Sequence, residues 1–230
     1  MSDFVVTTTV VSAAVILRAI CVVAGYFIGC FQTAYIVGKL AAKIDIREHG
    51  SKNAGTTNMV RVLGAKYAVI VFALDILKAV LAFTLFSAIF NDAPKFFFWN
   101  DFPQGSVAGL YAGLGVVLGH NFPVFLKFRG GKGVASSLAI ILCLDLRIAG
   151  VIFAVGLIIL LTTKYVSLMS LVVLALLPMS MIICGYPNEA VVIGLLLTAS
   201  AYFMHRKNII RLARGEENKL SIHSKGSLNK

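Results

Sequence analysis

The sequence predicts an all-α integral membrane protein with about seven transmembrane helices, and its composition and hydropathy are the basis of that prediction. Of the 230 residues, 59% are hydrophobic and 13% are charged, and the mean hydropathy is +0.89. Soluble globular chains have about 45–50% apolar and about 25% charged residues, so this chain has too few polar side chains to cover a water-facing surface. These values argue against a disordered chain, a nucleic-acid-binding domain and a disulfide-stapled secreted fold. We expect residues 1–230 to form a single polytopic membrane domain.

Seven apolar segments are candidates for the membrane-spanning helices, because a span needs about 20 largely apolar residues. A loop that contains Pro94, Trp99, Asn100, Asp101 and Pro103 separates the second from the third. The fourth segment is the shortest, so a tilted or thinly embedded helix is expected there. The predicted segments are residues 19–37, 67–90, 106–125, 133–144, 147–161, 165–184 and 190–204.

The distribution of lysine and arginine predicts the orientation of the helices. Seventeen of the 21 basic residues fall on one predicted side of the membrane, whereas Arg18, Lys95 and Arg147 fall on the other and Lys78 lies within a span. Basic residues concentrate in cytoplasmic loops, so the N-terminus is expected outside and the C-terminus in the cytoplasm. On the same basis, the net charge of +11 indicates basic loops that face anionic headgroups or an anionic substrate, and no nucleic-acid partner is expected.

The polar residues gather in three clusters on the predicted cytoplasmic side, and the first covers residues 50–61. Small hydroxyl and amide side chains stand among glycines here, a composition that suits a loop bringing backbone N–H groups to an anion. Arg61 adds a planar fork for phosphate oxygens, and Asn58 would share its face of a helix. A turn followed by a helix with a membrane-facing arginine would explain the same residues.

The second cluster covers residues 119–136 and surrounds one lysine with glycines. It reads GHNFP over residues 119–123 and FRGGKG over residues 128–133. It is not a Walker A loop, since Lys132 precedes a glycine rather than serine or threonine. The cluster ends where the fourth helix should begin, with Ser136 in its first turn, and free N–H groups at a helix start favour phosphate. Alone, Lys132 is explained by the positive-inside rule and His120 by a structural role, whereas three glycines around one lysine favour a site.

The third cluster covers residues 205–219, directly after the last predicted span. At 100° per residue, His205, Asn208 and Arg211 share one face of a helix, which could line a polar site where that span leaves the bilayer. A basic tail that touches anionic lipid is the alternative. Within the second span, Asp75 and Lys78 are three residues apart, and mutual neutralisation is the favoured explanation because unpaired charges in a bilayer are costly.

These residue patterns indicate a phosphate-handling membrane enzyme without naming its reaction. A phosphate or organophosphate membrane transporter is the alternative, but it predicts inverted repeats and polar groups near the midplane of the bilayer. A non-catalytic scaffold predicts basic loops without the recurring glycine, histidine and asparagine.

The three clusters together resemble the motifs of the bacterial acyl-phosphate:glycerol-3-phosphate acyltransferases, membrane-integral enzymes of the first acylation step of phospholipid synthesis. Residues 50–61 resemble GSGNPGATNxxR, residues 119–136 resemble GHxFPxFxxFxGGKGVAT, and residues 205–219 resemble HRxNIxRLxxGxExK. The order and separations fit, so the resemblance covers essentially the whole chain. The sequence departs from the motifs at Lys52, Ala54, Thr56 and Ser136. Lys52 replaces a glycine that could adopt positive φ without strain, so it bears most on the loop conformation.

The resemblance implies transfer of a fatty acyl group from long-chain acyl-phosphate to the 1-hydroxyl of sn-glycerol 3-phosphate, giving lysophosphatidic acid and phosphate. It implies no cofactor and no metal, a multi-pass location in the bacterial inner (cytoplasmic) membrane among membrane lipids, an active site facing the cytoplasm, and a functional link to the enzyme that makes acyl-phosphate. The sequence also lacks the His-x4-Asp dyad of soluble-type glycerolipid acyltransferases: five positions after the four histidines stand Ala54, Phe125, Ile210 and Leu228.

The resemblance also implies roles for individual residues. The phosphate of glycerol 3-phosphate is expected at Ser51, Arg61 and Lys132, and the acyl-phosphate, or charge developing on its carbonyl, at His120, His205 and Asn208. No general base stands out, and a bound substrate phosphate could accept the hydroxyl proton. The catalytic candidates are His120, Lys132, His205 and Asn208, and the substrate-binding candidates are Ser51, Asn53, Thr57, Asn58, Arg61, Gly130, Gly131, Gly133, Ser136 and Arg211.

The predicted orientation can be tested by labelling. Single cysteines placed at Ser2 and at Lys230 of a cysteine-free variant should react from opposite sides of the membrane, with Lys230 on the cytoplasmic side, because basic residues are retained in the cytoplasm. Labelling of both from one side would mean an even number of crossings and would remove residues 133–144 from the set of spans.

Overall fold

The computed structural model describes residues 2–90 and 107–220, with side chains described from residue 14. All regular structure in these residues is helical, which confirms the predicted all-α class. Two short 3-10 turns, Ile46–Glu48 and Val124–Leu126, join the longer elements. The α-helices in the described part of the chain are α1 (Ser2–Gly29), α2 (Thr33–Ala42), α3 (Thr56–Leu63), α4 (Ala65–Ile89), α5 (Val107–Asn121), α6 (Val134–Leu144), α7 (Leu146–Thr163), α8 (Val166–Ile183), α9 (Asn188–Met204) and α10 (Arg206–Ala213).

Each predicted span coincides with at least one helix, but not every helix is long enough to cross a bilayer. Five stretches of the described residues have the length and apolar composition of a span: Ala14–Ala42, Ala65–Ile89, Val107–Leu126, Leu146–Thr163 and Val166–Ile183. The helices α6 and α9 are apolar but shorter. The number of crossings and their direction therefore stay predictions, and the loop predicted around Pro94 and Trp99 lies outside the described residues.

The short length of α6 has a local cause at Asp145. The Asp145 side chain accepts hydrogen bonds from the backbone N–H groups of Arg147 and Ile148, at 2.8 and 3.3 Å, and so caps the start of α7. An N-cap residue has extended rather than helical backbone angles, as Asp145 does here (φ −157°, ψ 117°). The apolar run that covers α6 and α7 is therefore divided into two helices.

The first predicted span, residues 19–37, lies within the apolar stretch Ala14–Ala42, but it is shorter than that stretch and is not one continuous helix. Helix α1 ends at Gly29 and α2 begins at Thr33, so the segment contains a break. Hydrogen bonds join this break to other helices: its own Gln32 Nε2 donates to the His120 carbonyl oxygen of α5 at 2.9 Å, and Lys78 Nζ of α4 donates to the Phe31 carbonyl oxygen at 3.0 Å. The helical structure then continues to Ala42, beyond the predicted polar boundary at residue 38.

Helices α1 and α5 approach each other so closely that glycine is required on both surfaces. Gly25 and Gly29 lie on α1, and Gly115 and Gly119 lie on α5, each pair four residues apart. A Cβ atom at any of these four positions would overlap a backbone carbonyl of the opposite helix. Small residues with this spacing let helices pack closely inside a membrane, where lipid removes the hydrophobic drive for association. The contact brings the C-terminal ends of α1 and α5 together.

A polar contact joins helices α1, α5 and α9 at the opposite end of the bundle. The guanidinium of Arg18 bonds both carboxylate oxygens of Glu189, with Nη2 3.0 Å from Oε2, and the Tyr111 hydroxyl donates to Oε1 at 2.9 Å. Between the two ends, buried side chains such as Ile140, Ile152 and Leu174 form the apolar core of the C-terminal helices. Many large apolar side chains also face outward, as expected for helices surrounded by lipid.

The glycine contact predicts a selective loss of stability. The Gly25→Ala and Gly115→Ala variants should each lower the free energy of unfolding by about 1–3 kcal/mol, the usual cost of overpacking, because the added methyl group meets backbone that cannot move independently. Unfolding of the purified protein, titrated with denaturing detergent, measures this loss. Gly150→Ala on α7 is the matched control, since a Cβ atom there would have no neighbour within 4 Å. Equal stability of all three variants would contradict the proposed packing constraint.

Candidate active site

The three polar clusters meet at the end of the bundle formed by the C-termini of α5 and α9. The backbone N–H of Ala54, in the first cluster, donates to the carbonyl of Gly130, in the second, at 3.4 Å. The ammonium of Lys132, in the second cluster, donates to Asn208 Oδ1, in the third, at 2.5 Å. Residues more than 70 positions apart in the sequence therefore line one site.

Lys132 begins a chain of hydrogen bonds that runs through the third cluster. Asn208 accepts from Lys132 through Oδ1 and donates through Nδ2 to Glu217 Oε1 at 2.8 Å. Arg211 Nε donates to the other carboxylate oxygen of Glu217 at 2.7 Å. This confirms that Asn208 and Arg211 share a face of α10, and the chain of bonds fixes the Asn208 carbonyl toward the lysine.

The charges around Lys132 leave the site cationic. Burial lowers the pKa of Lys132 to about 8, and the charges of Arg211 and Arg61 also lower it, whereas Glu217 raises it. Burial alone would raise the pKa of Glu217, but the hydrogen bonds from Arg211 and Asn208 outweigh burial and hold that pKa below its ordinary value. Glu217 is therefore ionised and occupied by two donors. The charged groups around the site, Lys132, Arg61, Arg211 and Glu217, have a net positive charge.

His205 stands at the junction of α9 and α10 and is nearly fully buried. Its Nδ1 lies 2.8 Å from the carbonyl oxygen of Ala201, and because a carbonyl only accepts, Nδ1 carries the hydrogen and Nε2 the lone pair. Burial and the nearby charge of Lys132 lower the pKa of His205 to about 4. The ring is neutral at pH 7 and too weakly basic to be an efficient general base.

The starts of α3 and α6 add positive charge from the backbone. Both helices begin directly after a glycine, Gly55 and Gly133, and neither has a side-chain N-cap. The Ala54–Gly130 hydrogen bond brings the two helix starts together. The first amides of a helix have no partner within it and carry partial positive charge, so this arrangement adds to the charge of Lys132 in favouring a phosphate.

The glycines of the second cluster are required by close packing around His120. A Cβ atom at Gly130 would overlap the His120 carbonyl oxygen, and one at Gly131 would overlap His120 Nε2. The N–H of Gly131 donates to the His120 carbonyl oxygen at 3.0 Å. The amide of Gly131, a substrate-binding candidate, therefore already has an acceptor within the protein. Gly133 adopts φ +72° where α6 begins.

Asn58, a substrate-binding candidate, is buried and holds the loop of the first cluster. Its Oδ1 accepts from the Ser51 N–H at 2.7 Å, and its Nδ2 donates to the carbonyl oxygens of Ile46 and His49, both at 3.0 Å. Lys52, which replaces a motif glycine, adopts φ +59°, a left-handed conformation that costs an ordinary residue about 1–2 kcal/mol. The loop of the first cluster therefore has, at Lys52, the left-handed backbone conformation that the motif glycine would adopt without strain.

The remaining candidates differ in their access to the site. Ser51 is exposed, whereas Asn53, Thr57 and Arg61 are half-buried. Ser136 is completely buried, and its hydroxyl donates to the backbone carbonyl of Asp75 at 3.3 Å. The Ser136 hydroxyl thus joins α6 to α4, and it is not accessible from the surface.

His120 lies against a buried ionic network. Lys78 Nζ lies 2.8 Å from Asp75 Oδ1, which confirms the predicted neutralising pair, and 3.0 Å from His120 Nδ1. The Thr33 hydroxyl donates to Asp75 Oδ1 at 2.8 Å. The sequence did not predict this extension to His120 and Thr33, because it depends on how α2, α4 and α5 pack. It also did not single out Glu217, although the glutamate of the third motif was an available signal.

An apolar groove lies beside this network. It has a cavity volume of about 240 Å³, and two of its lining residues, Phe31 and Gln32, are the ones whose backbone or side chain bonds to Lys78 and His120. The groove is lined by Phe27, Cys30, Phe31, Gln32, Tyr35, Ile36, Phe125 and Leu126. Within the described ranges, no group of three or more His, Cys, Asp or Glu side chains is arranged to hold a metal ion.

Comparisons with known proteins agree with one another. Residues 19–215 match the family profile described as glycerol-3-phosphate acyltransferase. The glycerol-3-phosphate acyltransferase of Alkaliphilus metalliredigens is 42% identical over 199 residues, covering 86% of this chain and 94% of that protein. The corresponding protein of Thermoanaerobacter pseudethanolicus is 41% identical over 195 residues, covering 85% and 91%. The crystal structure of PlsY (YgiH), an integral membrane glycerol 3-phosphate acyltransferase, in its glycerol 3-phosphate form has a TM-score of 0.77 and 33% identity, covering 89% of this chain and 96% of that one.

The environment of Lys132 predicts how its replacement affects phosphate binding. Both Lys132→Ala and Lys132→Arg should weaken the affinity for glycerol 3-phosphate about 10- to 150-fold, the effect of losing a charge-assisted hydrogen bond of about 1.5–3 kcal/mol. The arginine variant should fail because a planar guanidinium does not occupy the place of a compact ammonium. Isothermal titration calorimetry in detergent measures the affinity.

Two controls separate this role from a general effect of positive charge. Lys127 is exposed, so Lys127→Ala should bind like the unmodified protein. The affinity of the unmodified protein should also fall as pH rises through about 8, where Lys132 loses its proton in the protein without ligand. The Lys132→Ala variant should not show this fall in affinity. Full affinity in Lys132→Arg would show that the lysine only sets membrane orientation.

Proposed function

This chain belongs to the glycerol-3-phosphate acyltransferase family, and we propose that it uses long-chain acyl-phosphate as the donor when it acylates the 1-hydroxyl of sn-glycerol 3-phosphate. The products are lysophosphatidic acid and inorganic phosphate. The family membership supports an enzyme over the phosphate or organophosphate transporter that the residue patterns left open. A second solved structure of PlsY (YgiH), in its lysophosphatidic acid form, has a TM-score of 0.75 with this chain.

The observation that carries the proposal is the cationic site around Lys132. The acceptor phosphate binds Lys132 and Arg61 and lies at the paired starts of α3 and α6. Lys132 is oriented by Asn208, whose own amide is held by Glu217 at 2.8 Å. A dianionic phosphate is attracted by this net positive charge, and binding it raises the protonated fraction of Lys132.

The other candidate residues divide into two groups by their observed contacts. Ser51, Asn53 and Thr57 form the accessible edge of the acceptor site. The second group holds the elements of the site in register, because its polar groups and close contacts are directed into the protein. This second group consists of Asn58, Gly130, Gly131, Gly133, Ser136 and Arg211.

The donor enters from the membrane with its acyl chain in the apolar groove beside His120. Phe27, Ile36 and Phe125 supply apolar surface along this groove, and its polar end is Gln32, whose amide bonds the His120 carbonyl. A fatty chain in the groove leads its reactive carbonyl toward His120 and the Gly130–Gly131 junction. His120 then borders the carbonyl, where a hydrogen-bond donor stabilises developing negative charge. His205, whose Nδ1–H is engaged by the Ala201 carbonyl, lines the site without donating to the carbonyl.

The transfer step needs no cofactor because acyl-phosphate is already activated. The 1-hydroxyl oxygen of glycerol 3-phosphate attacks the acyl carbon, the bond between that carbon and the phosphate oxygen breaks, and inorganic phosphate leaves. The hydroxyl proton passes to the departing phosphate. His205 does not take it, since its pKa of about 4 leaves it much less basic than a phosphate dianion.

The reaction is proposed to take place at the cytoplasmic face of the bacterial inner membrane. The charge distribution supports this orientation, because the sequence segments that build the site also carry most of the basic residues. Acyl-phosphate combines a labile head with an apolar chain, so the enzyme that makes it is expected to deliver it at the same membrane surface.

The donor assignment predicts a clear difference between two substrates. Purified protein should form lysophosphatidic acid from glycerol 3-phosphate with palmitoyl-phosphate but not with palmitoyl-CoA, because the chain lacks the His-x4-Asp dyad and the site holds no ordinary general base. Product formation is measured with radiolabelled glycerol 3-phosphate. Comparable rates with both donors would contradict the donor assignment while leaving the acceptor intact.

A further inference from the structure

We propose that Lys78, held by Asp75, is a positioning residue that fixes His120 as the tautomer with its hydrogen on Nε2 and directs that N–H toward the junction of the first two polar clusters. This inference rests on the proposed function for its catalytic consequence, but its structural content can be measured without activity. The ion pair of Asp75 and Lys78 lies within a predicted span. The inference gives this pair a role beyond mutual charge neutralisation.

The first step of the inference is the direction of the hydrogen bond between Lys78 and His120. Lys78 Nζ lies 2.8 Å from Asp75 Oδ1, 3.0 Å from the Phe31 carbonyl oxygen and 3.0 Å from His120 Nδ1. An ammonium has three hydrogens and cannot accept. These three neighbours are the nearest to its three donors, and the Gly29 carbonyl oxygen lies farther away at 3.5 Å. His120 Nδ1 must then present a lone pair, and the neutral ring carries its hydrogen on Nε2.

The second step concerns Asp75, which also approaches the ring. Asp75 Oδ1 lies 3.4 Å from His120 Nδ1, farther than the lysine nitrogen, and it already accepts from Lys78 and from the Thr33 hydroxyl at 2.8 Å each. Asp75, Lys78 and His120 are 1%, 7% and 4% exposed. A carboxylate at this distance favours the charged form of its partner lysine, so Asp75 acts on His120 through Lys78.

The third step is what the opposite edge of the ring faces. His120 Nε2 is so close to Gly131 that a Cβ atom there would overlap it, and the same Cβ would lie 2.6 Å from the Ala54 carbonyl oxygen. The Nε2–H thus points to the place where the first cluster meets the segment leading to Lys132. A ring with the opposite tautomer would present a lone pair instead of an N–H at this junction.

The backbone of His120 is held separately from its ring. The His120 carbonyl oxygen accepts from Gln32 Nε2 at 2.9 Å and from the Gly131 N–H at 3.0 Å. These contacts do not involve Lys78. Removal of the lysine is therefore expected to change the proton position on the ring more than the position of the residue.

The tautomer is measured directly by ¹⁵N magic-angle-spinning NMR of histidine-labelled protein in lipid vesicles, with His120 assigned from the spectrum of His120→Gln. The unmodified protein should show a protonated Nε2 and an unprotonated Nδ1. The double variant Asp75→Asn/Lys78→Met removes both charges and leaves neither unpaired, so it tests the role without a buried isolated ion. Its His120 should show hydrogen on Nδ1 or a mixture of both tautomers.

The same double variant should lower kcat about 100-fold, the order of loss on removing one transition-state hydrogen-bond donor, with KM for glycerol 3-phosphate unchanged. The matched control is Arg18→Met/Glu189→Gln, which removes the ion pair at the other end of the bundle and should change neither kcat nor the His120 spectrum. A double variant at residues 75 and 78 with unmodified kcat and an unmodified spectrum would overturn the proposal. If the unmodified protein has the expected spectrum but no activity with acyl-phosphate, the proposed function fails and the tautomer assignment stands.

Discussion

The close contact between α1 and α5 is the constraint on which the rest of the structure depends. Four glycines let the two backbones touch, so the break after α1 lies beside the end of α5. Gln32 can then bond the His120 carbonyl, and the Tyr26 hydroxyl can donate to the Phe122 carbonyl oxygen at 2.7 Å. In lipid, van der Waals contacts and hydrogen bonds between helices replace the hydrophobic effect that drives helix packing in soluble proteins. A side chain in place of any of the four glycines would push α1 and α5 apart and shift the break after α1 relative to His120.

Two polar networks of different character are built on that contact. The network of Asp75, Lys78 and His120 is closed, since the lysine and the aspartate satisfy each other inside the bundle. The chain from Lys132 through Asn208 to Glu217 is open at one end, because the glutamate is engaged by Arg211 and the lysine is held by a neutral amide. Burial makes the second arrangement receptive to an anion. The closed network holds the helices together, whereas the open one is the candidate binding element.

Much of the architecture is predictable from local sequence patterns, and what is not predictable depends on contacts between distant helices. The apolar segments, the shared face of Asn208 and Arg211, and the pairing of Asp75 with Lys78 follow from spacing along a single helix. The break at Gln32, the glycine contact and the approach of Lys78 to His120 join positions far apart in the chain. Motif composition located the candidate site, but it could not show that Asn58 and Ser136 direct their polar groups into the protein.

At the ends of several helices and turns, a lysine has left-handed backbone angles that glycine would adopt without strain. Lys43 follows α2 with φ 57° and Lys164 follows α7 with φ 62°. Each lysine also places a positive charge at a helix C-terminus, where the macrodipole is negative, and adds to the basic side of the protein. Folding and membrane insertion therefore place opposite demands on the same residue. A chain redesigned with glycine at these ends would relax its backbone and lose part of the signal that tells the insertion machinery which loops to retain.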